Sequence, residues 1–235
     1  MAGQAMIKSA PYDSAAFGMP AWEIAEYTAA TLAAADGMPG LQTIKVEPLA
    51  DKALLQRHGF HYCDTLLATR AGAARLRPVA PRAGLTIARI DAGHADAAAA
   101  LAICHGAFAH GRFHRDYQLP RAGADVRYDN WLRQLLAAGN VWGLYADGLL
   151  SGFIGHSGAC LVLHAVAAEC RGQGLAKHWW HLAASELFAA GHAEVTSSIS
   201  AANVAIMNLY ASLGFAFDHP QDVYHRIVPQ AKEPT

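Results

Sequence analysis

Apolar and polar positions along the chain change period several times, and each change predicts an element. Leu85 to Ile90 alternates and predicts a strand. Ala92 to Phe108 is apolar over a longer stretch and predicts a helix. Gly111 to Asp125 has no period, and Pro120 and Gly123 mark it as a loop. Val126 to Ala138 predicts a second helix, with Trp131 and Leu135 on one face. Val141 to Tyr145 and Leu149 to His156 predict a hairpin closed by Asp147-Gly148, a strong turn pair. Cys160 to Val166 is a further strand, and Leu175 to Ala190 reads as a helix. A strand over Glu194 to Ile199, a helix over Val204 to Ser212 and a last strand over Val223 to Val228 complete the pattern. Strands mixed with helices in this order predict an α/β (α+β) domain with a mixed sheet.

The pattern breaks once, near Arg70 to Ala83. That stretch holds two prolines and four arginines, with neither a helical nor a strand period, and reads as a linker. The expected organisation is an N-terminal subdomain over residues 1–70, a linker over 71–83 and a larger domain over 84–230. The N-terminal segment echoes the C-terminal end. Aligning Gly59-Phe60 with Gly214-Phe215 gives strand, helix, Gly-Phe, strand in both, with Leu55 where Tyr210 stands. This predicts a degenerate half-copy that keeps packing positions and lacks the polar ones; a chance match of short apolar patterns is the alternative.

Composition narrows the function classes. The chain has 235 residues and a formal net charge of -1, which disfavours a non-specific nucleic-acid binder. Its four cysteines show no paired spacing, so neither a disulfide framework nor a zinc motif is expected. No stretch approaches the ~20 apolar residues of a membrane span, and the first twenty residues lack an apolar signal core. A cytoplasmic protein without a membrane partner is the expectation.

Arg171-Gly172-Gln173-Gly174-Leu175-Ala176 lies between a predicted strand and a predicted helix. Glycines there let backbone N–H groups converge on an anion, and the helix N-terminus adds positive potential. An ordinary strand–helix turn is the alternative. The dinucleotide fingerprint is absent, since no third glycine follows at the right offset, and so is the Lys-Ser/Thr of a nucleoside-triphosphate loop. A diphosphate without a magnesium ligand fits better. Downstream, seven positions separate Asn203 from Tyr210, about two helical turns, so both can share one face along an elongated ligand. An amphipathic core tyrosine is the alternative for Tyr210.

Strand–Arg-Gly-x-Gly-x-Ala–helix, then strand, then Asn-x6-Tyr-x3-Gly-Phe, resembles the GCN5-related N-acetyltransferase (GNAT) superfamily over about Val162 to Phe215. The resemblance implies a mixed, mostly antiparallel sheet splayed at an acetyl-CoA site, with acetyl-CoA as co-substrate. It implies that Arg171 to Ala176 hold the pyrophosphate and that Ala165 and Val166 pair with the pantetheine arm through their backbone. Asn203 would border that arm, and Tyr210 would lie by the thioester sulfur as general acid. It makes a homodimer the assembly to test. For the general base, His164, His156, Glu169 and His114 all remain candidates.

A narrower resemblance covers more of the chain. Tyr12 to Gly18, Gly59-Phe60, and Gly111 to Asp116 followed by Tyr128 and Trp131 look like the dTDP-fucosamine acetyltransferase group. Tyr12, Ala16 and Gly111 depart from that group's pattern. It implies an amino group on a nucleotide-linked deoxyamino sugar as acceptor. Arg112, Phe113, His114 and Arg115 are then candidate substrate residues within an arginine-rich loop that also holds Arg121 and Arg127; a solvated loop is the alternative. Thirteen histidines raise the question of a metal, but His110/His114 and His178/His181 have no carboxylate or cysteine at ligand spacing, so no metal is expected. Acetylation of a protein N-terminus, a lysine or another small amine, and a CoA-binding module without turnover, remain rival readings.

Overall fold

The computed structural model describes residues 6–230; the ends of the chain, including the first five residues of the expected N-terminal subdomain, lie outside it. Two compact units form. The first comprises residues up to Leu66, Ala109–Arg127 and Pro220 onward; the second comprises Leu67–Phe108 and Tyr128–His219. Residues 71–83, expected as a linker, hold the end of a long strand, a 3-10 turn over Ala73–Arg75 and irregular chain.

The first unit starts with strand β1 (Ile7–Ser9), helix α1 (Pro11–Phe17), strand β2 (Ala21–Ile24), helix α2 (Ala29–Asp36) and strand β3 (Gly40–Val46). α2 is the crossover that lets β2 and β3 run parallel. Thr28 opens it, its hydroxyl accepting the Thr31 amide at 3.1 Å. Helix α3 (Ala53–Arg57) follows, and strand β4 (His61–Gly72) runs on into the second unit. Within the first unit the order is β1-β2-β3-β10, where the last is the Asp222–Val228 part of strand β10 (Ala216–Val228), antiparallel to β3. Ile24, Leu32, Ile44, Leu55 and Phe60 form the core. Arg226 is buried and donates to Gln42 Oε1 (2.9 Å), Asp36 Oδ1 (2.7 Å) and the His58 carbonyl (2.7 Å).

The second unit adds strand β5 (Leu85–Ile90), helix α4 (Ala97–Cys104), strands β6 (Val141–Ala146), β7 (Leu149–Ser157) and β8 (Cys160–Val166), helix α7 (Ala176–Ala189), strand β9 (Glu194–Ser200) and helix α8 (Val204–Ser212). Between α4 and β6 come the short helix α5 (Arg112–Arg115), in the first unit, and helix α6 (Arg121–Ala137), which spans both. The strand order is β4-β9-β8-β7-β6-β5. β5 through β8 are antiparallel neighbours and β8/β9 are parallel, so the expected mixed, mostly antiparallel sheet is present. Asp147 and Gly148, at φ 49° and 81°, make the expected hairpin turn. Trp142, Leu144, Ile154, Trp179, Trp180, Leu187 and Leu213 build the core between this sheet and α7 and α8.

Three elements differ clearly from expectation, and the expected loop over Gly111–Asp125 also holds the short helix α5. α6 starts at Arg121, five residues before the expected Val126. Pro120 precedes its first turn, where a missing N–H costs nothing, and Gly123 packs against the Phe17 ring. α4 is shorter than the expected Ala92–Phe108, because residues before it fold into turns in which Asp91 Oδ1 accepts the Gly93 amide. β10 begins at Ala216 rather than Val223, passing through His219 at φ 44°. Among the described residues, no helix is long and apolar enough to cross a membrane.

Candidate functional site

The site in the second unit begins where β8 and β9 part. Among the described residues their parallel register holds two partner pairs, Cys160 with Thr196 and Leu161 with Ser197. The Ser197 hydroxyl donates to the Leu161 carbonyl at 2.7 Å and closes the paired end. Beyond it, β8 stays paired with β7 as far as Val166 opposite Gly152. Its other edge, along Val162 to Val166, is therefore open beside β9. This is the splay that the GNAT resemblance implies.

The chain leaves β8 through a 3-10 turn over Ala168–Cys170 and enters the glycine loop. Arg171, Gly172, Gln173 and Gly174 are exposed, while Leu175 is buried as a core anchor and Ala176 opens α7. Gly172 and Gly174 have φ of 74° and 72°, which only glycine adopts without strain, and a Cβ on either would project into open space. Among the described residues, the amides of Gly172 through Lys177 donate no hydrogen bond to the protein, and α7 has no side-chain cap. A cluster of unsatisfied N–H groups at the start of a fourteen-residue helix is a seat for an anion. Two side chains brace the loop: Arg171 Nε donates to the Val166 carbonyl at 2.8 Å, and Gln173 Nε2 to the Glu169 carbonyl at 2.6 Å.

α8 supplies the remaining polar groups. Asn203 is its N-cap, with Oδ1 accepting the Ile206 amide at 3.2 Å. Tyr210 is fully buried two turns later, and its Oη lies 3.2 Å from His164 Nε2 on β8. Burial lowers the His164 pKa to about 4, so the ring is neutral, and in the tautomer with a bare Nε2 that nitrogen accepts the Tyr210 O–H. Burial also raises the Tyr210 pKa, keeping the phenol protonated. The Tyr210 ring packs edge-on against Phe215 at 4.9 Å. Ser197, whose side chain bears on the Tyr210 phenol, was not singled out by sequence. Its signal is a polar residue in the inward row Val195, Ser197, Ile199.

The fold brings Ala165, Val166, Arg171 to Ala176, Asn203 and Tyr210 into the second unit, while Arg112 to Arg115 belong to the first. Phe113 is fully buried there, packed against Phe17 and His225, so it is a core residue rather than a substrate platform. Arg115 is paired with Asp64 (3.0 Å) and Arg127 with Asp13 (3.0 Å), so neither guanidinium is a bare anion clamp. Arg112 lies over the Phe113 ring at 4.5 Å. His114 Nε2 bonds Asp125 at 2.8 Å. Among the other candidate bases, His156 stacks on Trp142 and contacts Arg89 and the Gly158 carbonyl, and Glu169 is exposed beside the loop.

Comparison with known proteins agrees with this geometry. Residues 110–215 match the family model described as the acetyltransferase (GNAT) family. Among solved structures, a GCN5-related N-acetyltransferase from Sphaerobacter thermophilus superposes with a TM-score of 0.59 at 15% identity, covering 83% of this chain and 62% of that one. A tandem GNAT protein from the clavulanic acid biosynthesis pathway gives 0.56 at 14% identity, covering 92% and 77%. A GCN5-related N-acetyltransferase from Kribbella flavida gives 0.55 at 13%, covering 89% and 82%. A search of curated proteins found no match. The stretch that matches the GNAT acetyltransferase family, residues 110–215, holds the splayed strands, the glycine loop and Tyr210.

Proposed function

We propose that the chain transfers the acetyl group of acetyl-CoA to a primary amine by direct attack of the amine on the thioester. The observation that carries this reading is the row of unsatisfied amides from Gly172 to Lys177, set immediately beyond the open edge of β8. The loop amides take the pyrophosphate, as the helix N-terminus favours negative charge. The open backbone edge at Ala165 and Val166 offers hydrogen-bonding groups to the amide-bearing pantetheine arm, with the Val166 carbonyl shared with Arg171 Nε. The tetrahedral oxyanion then needs an N–H donor in a water-poor site, and the same strand edge supplies one. Binding of acetyl-CoA, followed by release of free thiol on addition of an amine, tests the reading.

Tyr210 is assigned as the acid that protonates the departing thiolate. In this structure its O–H is engaged by His164, so donation requires the hydroxyl to turn from Nε2 toward the sulfur. Its complete burial favours a second role as a tethered core residue. Steady-state kinetics of Tyr210→Phe separate the two: an acid lowers kcat with acetyl-CoA affinity kept, whereas an anchor lowers stability with kcat kept.

For the acceptor we infer an amino group on a nucleotide-linked deoxyamino sugar, resting on the likeness of Tyr12 to Gly18 and Gly111 to Asp116 to that acetyltransferase group. The ion pairs of Arg115 and Arg127 weaken the case for a four-arginine diphosphate clamp. Other small amines and peptide amines therefore belong in the same screen of thiol release, and preference for a peptide overturns the sugar reading.

A further inference from the structure

We propose that His61, Cys63 and Asp116, all in the first unit, bind one divalent late first-row transition metal ion, with Zn2+ the best match. His61 and Cys63 are alternate residues of β4, so their side chains leave the same face of the strand. Asp116 follows α5 and reaches the same place, more than fifty positions on in sequence. One ligand atom from each residue lies within 4.8 Å of the others, and the His61 Nε2 to Asp116 Oδ1 separation is 3.0 Å. Donor atoms around a tetrahedral zinc ion lie about 3.3–3.8 Å apart, given bonds of about 2.0–2.3 Å. Small side-chain shifts therefore bring the trio into coordination range.

Three further observations fit a metal better than a plain hydrogen-bonded cluster. The donors are sequestered: Cys63 and Asp116 are buried and the His61 side chain is only 15% exposed. The carboxylate is held from outside the trio, with His225 Nδ1 donating to Oδ2 at 2.8 Å and the Gln118 amide to Oδ1 at 2.8 Å. That is the outer support that metal-binding carboxylates receive. The hydrogen bonding is also incomplete, since buried His61 Nδ1 has no partner among the described residues. The Cys63 thiol makes a long contact to the His61 carbonyl, at 3.8 Å, and lies within reach of the Asp116 carboxylate and the His225 backbone. A divalent cation with one thiolate and one carboxylate makes a neutral group, and thiolate with imidazole selects zinc-like ions over magnesium or calcium. Such an ion would tie β4 to the turn after α5.

The test uses the full chain, stripped with chelator and titrated with Co2+ as a spectroscopic substitute. The expected result is a near-ultraviolet thiolate-to-cobalt band saturating at one equivalent and lost on addition of Zn2+. Cys63→Ser should abolish the band, while Cys104→Ser and Cys170→Ser should keep it. His61→Gln retains the thiol, and should keep a band but weaken Co2+ binding at least ~10-fold. This variant decides the matter if Cys63→Ser does not fold. Absence of the band in the parent chain, its persistence in Cys63→Ser, or unchanged affinity in His61→Gln overturns the proposal.

Discussion

Tyr210 on α8 and His164 on β8 are joined by a 3.2 Å hydrogen bond between Oη and Nε2, at the place where β8 and β9 separate. The helix that carries Tyr210 is thereby fastened to the strand whose open edge is the proposed seat of the pantetheine arm. Tyr210→Phe should destabilise the protein by about 1–3 kcal/mol, because it leaves His164 Nε2 short of a donor in a buried setting. If Tyr210 is also the acid, kcat should fall about 100-fold with little change in acetyl-CoA affinity. Denaturant unfolding and steady-state kinetics on one preparation measure both.

The same pair makes stability depend on pH. His164 has its pKa depressed by burial to about 4, against the ordinary 6.5. Between these values the unfolded chain takes up a proton that the folded chain refuses. Its contribution is thus fully present above about pH 6.5, declines as pH falls, and is gone by about pH 4. The loss is on the order of 3 kcal/mol. His164→Asn should flatten this part of the profile relative to the parent, as read by melting temperature between pH 7.5 and 4.5 on a common buffer series (about three points per unit suffice). Parallel profiles would remove His164 from the account.

Gly174→Ala places a methyl group where the backbone now opens outward. At φ 72° the strain should cost about 1–2 kcal/mol, with no clash in the free protein. Gly148→Ala, at φ 81° in the hairpin turn and also without a clash, should cost a similar amount. Only the first should weaken acetyl-CoA binding, by at least ~10-fold, because only there does the methyl obstruct approach to the amides. Calorimetric titration of both variants checks this.

Gly123→Ala should destabilise even though alanine is the better helix former. The added Cβ would stand 2.8 Å from Phe17 Cδ1 and 3.2 Å from the Ala16 carbonyl oxygen. Overpacking of that kind costs about 1–3 kcal/mol, more than the ~1 kcal/mol of helix propensity gained. A rise in unfolding midpoint would contradict the close packing of α6 on α1.

Local chemistry was legible wherever one residue type solves a backbone problem. Asp147-Gly148 made its turn, and the glycines at 172 and 174 stand at left-handed positions of the loop, whereas the capping role of Asn203 emerges only from the structure. The helix over Val204–Ser212 stands where expected. Ends set by tertiary packing were not legible: Gly123 reads as a breaker until Phe17 is placed against it. The arginine-rich loop misled for a related reason. Its charges read as a diphosphate clamp, with a solvated loop as the alternative, yet Asp64 and Asp13, which pair with Arg115 and Arg127, lie far away along the chain. Asp116 joins His61 and Cys63 in the same way, so ligand-spacing rules pass over the cluster.

The proposed half-copy gains support from one repeated detail. The Phe60 amide donates to the Leu55 carbonyl at 3.0 Å, and the Phe215 amide to the Tyr210 carbonyl at 3.1 Å, each after a glycine of positive φ. Leu55 and Tyr210 are both fully buried at the equivalent point. Tyr210→Leu should therefore fold, with its stability within about 3 kcal/mol of the parent, and fail in catalysis. A variant that unfolds at ambient temperature would count against the equivalence.

The most direct test of the central claim is the effect of acetyl-CoA on thermal unfolding, followed by thiol release when an amine is added. At a hundredfold excess over Kd, binding should stabilise the folded chain by about 2.7 kcal/mol, roughly 5–10 °C for a protein of this size. Gly174→Ala, with binding weakened at least ~10-fold, should cut that rise to about half or less, and a suitable amine should release free CoA thiol from the parent. No rise in melting temperature at saturating acetyl-CoA would contradict the assignment of the Gly172–Lys177 amides as the donor seat.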